Sequence, residues 1–348
     1  MKYLVSLFCV LLVICSAPIG SLAADKVVVI PIMSHQSKPL KNVVTVAKKN
    51  GDFTDPVAAM NSITDAAADN PYLIVIAPGV YTLTETLVMK RYVSITGSGE
   101  DVTILTGAIS HDNSYSLGAL VSVTMASRLA KLAVDNKGGG DYSAAITVHR
   151  GHVDRIVAKV SGSTHNLGIY TADGITEKVR ASAYGGTEAY GIIITGRYGK
   201  TTDIDVYVSG ATNLNCGIYL PSAYRKEKIA NAHVWINSKN TCFGIWVDNI
   251  QDDTIFENMD ISVSSTTSTA YGIERSSFSN PPVLTLRRST VSGTTKALYV
   301  NNHTSFPGYL VRANQSTVIG GMSIQGHGIM QCVACDDGNG GELGSDCQ

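Results

Sequence analysis

The sequence predicts an all-β chain wound as a parallel β-helix, and three observations predict it. The first is a recurring phrase, an apolar residue, Gly-Ile, then an aromatic or aliphatic residue. It reads Leu167-Gly168-Ile169-Tyr170, Tyr190-Gly191-Ile192-Ile193, Cys216-Gly217-Ile218-Tyr219, Phe243-Gly244-Ile245-Trp246 and Tyr271-Gly272-Ile273-Glu274. Its glycines lie 23, 26, 27 and 28 residues apart. Ala145-Ile146 and Ala297-Leu298 extend the series, and self-similarity at such a period is the signature of a solenoid. The second is an alternating track following each phrase, whose second apolar positions are Val160, Ala183, Val208, Ile236, Val263 and Val291, with Val134 and Val318 beyond them. The third is a limit of length. Such a unit holds two period-2 strands and a turn, with no room for an ordinary helix. Leucine-rich repeats share the length but need a Leu-rich consensus with a fixed Asn, which is missing. Strands that hydrogen-bond to the coil above and below remain.

Taken in order, residues 1–23 read as a secretory signal: Lys2 is the positive end, Leu4 to Ile14 the apolar core and Ser21-Leu22-Ala23 the cleavage site. A connector, 24–41, follows. Residues 42–70 form an N-terminal strand and a capping helix. Asp55-Pro56 starts that helix, and Val57, Met60, Ile63 and Ala66-Ala67 continue its apolar stripe to about Ala68. Residues 71–321 are the β-helix, and 322–348 a Cys-containing cap or tail. No stretch of the mature chain reads as a membrane span. The predicted location is secreted, periplasmic or cell-surface. With 27 basic against 28 acidic residues, the chain lacks the basic excess of a nucleic-acid binder.

The opening carries a resemblance. Asn50-Gly51-Asp52-Phe53, Ala77-Pro78-Gly79-Val80-Tyr81, Val93-Ser94-Ile95-Thr96-Gly97-Ser98-Gly99 and Thr103-Ile104-Leu105 resemble the opening of pectin-lyase-like proteins, pectin methylesterases in particular. The resemblance implies a single-stranded right-handed β-helix. It does not bring catalytic motifs with it. The Gln-Asp-Thr and Asp-Phe-Ile-Phe segments of pectin methylesterases have no counterpart. Gln251-Asp252-Asp253 and Gly326-His327-Gly328 look like polygalacturonase motifs but stand nearly three coils apart.

Candidate site residues come from strand phase. With Val206 and Val208 facing inward, Asp205 and Tyr207 face outward. The same phase stacks Arg180, Asp205, His233, Asp260 and Arg288 in one outward column beside Tyr207 and Trp235. Asp205, His233 and Asp260 are the catalytic candidates, the carboxylates serving as acid and base and the histidine as relay. Arg180, Arg288, Tyr207 and Trp235 are the substrate-binding candidates here. A second outward column runs Tyr170, Ile193, Tyr219, Trp246, Glu274 and Tyr299, in which Tyr219 and Trp246 offer ring faces. An alternating-sign column also stabilises itself with no ligand. Arg197, Lys200, Arg225, Lys226 and Lys228 make a basic corner.

Cys216 is expected to face the interior with Tyr190 and Phe243, and Cys242 to point the opposite way. One pair among Cys332, Cys335 and Cys347 is expected to form a disulfide. No metal and no cofactor is implied. These features point to an exported protein that binds an extended polysaccharide or surface glycan without catalysis, with self-association left open. The alternative is a polysaccharide hydrolase or lyase using Asp205, His233 and Asp260 in a lateral groove.

Overall fold

The computed structural model describes residues 42–196, 198–223, 227–248, 253–276, 283–301, 310–324, 329–345 and 347. The signal and connector, Arg197, Arg225, Lys226, Gln251-Asp252 and Gly326-His327-Gly328 lie outside them. The chain is a right-handed parallel β-helix of about 9 turns. Two all-parallel sheets run its length. The long sheet starts at Asn42–Val46 and passes through Arg128–Asn136, His152–Ser161, Ile175–Tyr184, Lys200–Ser209, Glu227–Ser238 and Thr254–Ser265 to Ile329–Val333. The short sheet runs from Leu87–Val88 through His165–Ala172, Glu188–Gly196, Leu214–Ala223 and Thr241–Asp248 to Met322–Ile324. Among the described residues no helix is long and apolar enough to cross a membrane.

The repeated phrase is the spine of the short sheet. Ile146, Ile169, Ile192, Ile218, Ile245, Ile273 and Leu298 pair in unbroken register. All are buried in one core that extends the length of the solenoid. Glycine recurs beside them because the opposite sheet leaves no room. A Cβ on Gly191, Gly217 or Gly244 would stand 2.2 to 2.5 Å from Val206, Val234 or Ile261, closer than carbon atoms approach.

Each long strand bends at one residue in the left-handed region. Lys131, Arg155, Lys178, Asp203, Asn231 and Asn258 hold φ between 53° and 58°. The second half of each strand packs on the short sheet. In the last coils the bend becomes a break, with Arg288 at φ 46° between Val283–Arg287 and Thr290–Gly293. Buried asparagines close other corners: Asn166 and Asn215 donate to and accept from backbone groups of their own turns.

The apolar track holds over its middle and slips at its ends. Val160, Ala183, Val208, Ile236 and Val263 pair as expected. Val263 then faces Gly293, and Val291 lies under Ile261; at the other end Val134 pairs with Ala158. Each slip is two residues. That keeps every side chain on its expected face while moving it two residues along the strand.

The helix is shorter than its pattern. It spans Pro56–Ser62, with Val57 N–H donating to the Asp55 carboxylate at 3.0 Å. Ile63 is extended and drops into the core beside Met60 and Val57, so its burial continues the stripe without the helix. At the far end Cys332 and Cys347 form the disulfide, and Cys335 is free and buried.

Candidate functional site

The bend of the long sheet builds the first site. Aspartate and asparagine tolerate the left-handed conformation, and their short side chains reach one rung along. Asn231 Nδ2 donates to Asp203 Oδ1 at 2.8 Å and Asn258 Nδ2 to Asn231 Oδ1 at 2.9 Å. Arg288 Nε donates to Asn258 Oδ1 at 3.1 Å, closing a four-residue exposed ladder.

Two residues past each bend stands the predicted column. Arg180, Asp205, His233 and Asp260 are neighbours on successive rungs. Arg180 Nε lies 3.9 Å from Asp205 Oδ2, and His233 Nε2 lies 3.5 Å from Asp260 Oδ2. A groove of about 550 Å³ runs between this column and the ladder, with Lys178 at one end. Tyr207 meets the His233 ring edge-on at 6.1 Å and lies 6.5 Å from Trp235, which is 41% exposed.

Arg288 does not belong to the column. Thr290 stands beside Asp260, and Arg288 sits at the bend against Asn258 and Glu257, displaced by the two-residue slip. Of the basic corner, Lys200 pairs with Glu177 and Lys228 with Glu257.

Asp205 and Asp260 are two rungs apart, roughly 10 Å at the spacing of paired strands. Their side chains are 46% and 63% exposed. A general acid is prepared by burial away from water, and both carboxyls are open to solvent. What the groove does offer is alternating donors and acceptors on a rigid rung spacing, beside two ring faces.

The outer face of the short sheet is the second site. Tyr170, Ile193, Tyr219, Trp246, Glu274 and Tyr299 pair in the expected column. The apolar residue before each glycine shares that face, contrary to expectation. Cys216 is buried in an outer cluster with Leu167, Tyr190 and Ile193, while Cys242 lies in the main core. The ladder pairing steps over the glycines of the phrase, so the flanking residues do not follow simple alternation. Burial pushes the Cys216 thiol well up and the Cys242 thiol up to about 11.

Residues 108–118 cover one end of this face: His111 bridges to Tyr142, and Tyr115 stands edge-on to Tyr142 and Tyr190 at 5.1 and 6.4 Å. Beyond them the rings form a half-buried strip. Tyr219 stacks on Trp246 at 4.5 Å, Phe243 on Tyr271 at 5.9 Å, and Tyr271 on Tyr299 at 4.5 Å.

Glu274 interrupts this strip, and site selection from the sequence passed it over. It is 8% exposed, and its Oε2 has no hydrogen-bond partner among the described residues. Burial first, then the Asp248 carboxylate, raise its pKa to about 7. Its signal was present: Glu274 is the one acid in a run that otherwise reads Tyr170, Ile193, Tyr219, Trp246 and Tyr299.

No family model matches the chain, and a search of curated proteins found no match. Among solved structures it is similar to pectate lyase Pel9A at 15% identity and TM-score 0.48, over 85% of this chain and 77% of that one. It is similar to a pectin methylesterase from carrot at 12% identity and TM-score 0.43, over 86% and 90% of the two chains. The A-module of the Azotobacter vinelandii mannuronan C-5 epimerase AlgE6 is similar at 11% identity and TM-score 0.44, over 80% and 84%. These are likenesses of coil architecture, and the fold rests on the register itself: the chain is a right-handed parallel β-helix.

Proposed function

We propose that this protein binds an extended polysaccharide along the outward columns of its long sheet. The observation that carries the reading is the exposed Trp235 beside half-buried Tyr207, next to the Arg180–Asp205–His233–Asp260 groove. A linear glycan needs this combination. Its C–H faces stack on rings, and its hydroxyls and carboxylates pair with alternating donors and acceptors at a regular spacing. Rigid strands hold the groups in place, so little order is lost on binding.

Holding a chain is favoured over cleaving it, because Asp205 and Asp260 are both open to solvent, Asp205 beside Arg180 and Asp260 beside His233. The hydrolase or lyase reading keeps the same three residues, Asp205, His233 and Asp260.

Retention on an immobilised acidic polysaccharide tests the proposal. Trp235→Ala should weaken retention about tenfold, the range of one lost ring contact. Unchanged retention removes the reading. Release of reducing ends by the wild type that stops in Asp205→Asn would replace it with the enzymatic one.

A further inference from the structure

The outer strip of the short sheet is a separate surface, with a composition different from the groove. Tyr219, Trp246, Tyr271 and Tyr299 present stacked rings, and one acid stands among them. Glu274 is more than nine-tenths buried, and Oε2 has no protein partner among the described residues. A buried carboxyl oxygen without a partner is costly, and such a group persists where something else uses it.

We propose that this strip is a binding site for an uncharged saccharide, with a pyranose stacked on Trp246 and Tyr299 and one hydroxyl hydrogen-bonded to Glu274. The occupant follows from two properties that the strip imposes together. It needs an apolar face to lie on the rings and a hydroxyl to meet the buried carboxyl between them, and a pyranose has both.

Charge argues for a neutral sugar. Asp248 is the nearest other acid acting on Glu274, and a uronate placed here would meet both carboxyls. Among the described residues, the other titratable groups around Glu274 are the Cys216 thiol, the Tyr219, Tyr271 and Tyr299 hydroxyls, Arg275 on its own strand and Lys296 beside Tyr271. Arg275 is buried between Val247 and Val300, and Lys296 is a described cation beside the strip.

The anchor works as an acid. With its pKa raised to about 7 by burial, Glu274 holds its proton below neutrality and donates it to a sugar oxygen. Above neutrality the proton leaves, and a carboxylate must then be kept in the same apolar setting. Binding should weaken with rising pH. The site is independent of the Trp235 groove, which lies on the other sheet.

Isothermal titration with neutral gluco-, galacto- and manno-oligosaccharides, and with an oligogalacturonate, tests this on the full chain. At about pH 5.5 a neutral oligosaccharide should bind the wild type, and affinity should fall about tenfold by about pH 8.5. Glu274→Gln keeps a neutral donor and should bind without that pH dependence. Glu274→Ala and Trp246→Ala should each lose about tenfold at the lower pH.

No neutral sugar bound, or the same pH profile in Glu274→Gln as in wild type, overturns the proposal. If Trp246→Ala fails to fold, the comparison of Glu274 with Gln at the two pH values still decides. Sedimentation identifies the competing occupant. Dimerisation broken by Glu274→Ala, with no saccharide bound, would make the strip an interface between two copies and would also overturn it.

Discussion

Glu274 occupies a position where the coil before carries Trp246 and the coil after carries Tyr299. A ring there would continue the stack, and the carboxyl is instead buried with no partner on Oε2 among the described residues. Stability records this cost. The folded state holds a proton that the unfolded chain releases between roughly pH 4.5 and pH 7, so it binds more protons than the unfolded state across that window. Stability therefore falls as pH rises through the window and stays lower above it. Glu274→Gln, neutral throughout, should exceed the wild type by on the order of 2 kcal/mol at alkaline pH and match it under acid conditions. Denaturant titrations of both proteins at the two extremes measure the difference. Equal stability of the two at alkaline pH would show that the carboxylate is solvated.

At the scale of the strand, the glycine of the phrase is a packing constraint. Gly217 faces Val234 across the core, and an added Cβ would lie 2.4 Å from Val234 Cγ1 and 2.5 Å from the Gly244 carbonyl. Gly217→Ala should cost about 2 kcal/mol by overpacking, read as a lower denaturation midpoint. Adding Val234→Ala should recover part of that loss and not all of it, because the carbonyl contact remains. Additive effects would mean that the two sheets do not meet at this rung. The same strands show how much of a site can be read from repeats. Arg180, Asp205, His233 and Asp260 were legible because alternation and spacing agree through four coils. Arg288 was not, since alternation fixes the face of a strand but leaves a two-residue slip unmarked. Cys216 was misjudged for a related reason: the pairing steps over the adjoining glycine and breaks the alternation used to place it.

The whole molecule is a stack in which each coil depends on its neighbours, so damage at one end should stay there. The Cys332–Cys347 disulfide closes a 15-residue separation in the last described coil. Replacing both cysteines by serine should cost about 3 kcal/mol locally, the loop-closure estimate for that length. Hydrogen exchange should speed up in Ile329–Val333 and Leu310–Asn314, with His165–Ala172 protected as before. Uniform loss of protection would mean that the solenoid unfolds as one unit. The sequence by itself determined the winding: a recurring glycine and isoleucine require equivalent side chains to pile along one axis, and period-2 alternation separates core from surface. Only the tertiary structure decided where the stacking departs from simple alternation, as at Arg288 and Cys216. Slips, breaks at the bend and the glycine steps shift neighbours along the strand, and each leaves the residue pattern almost unchanged. It also decided that Glu274 is buried, since burial depends on the rings of adjoining coils and on no feature of its own segment.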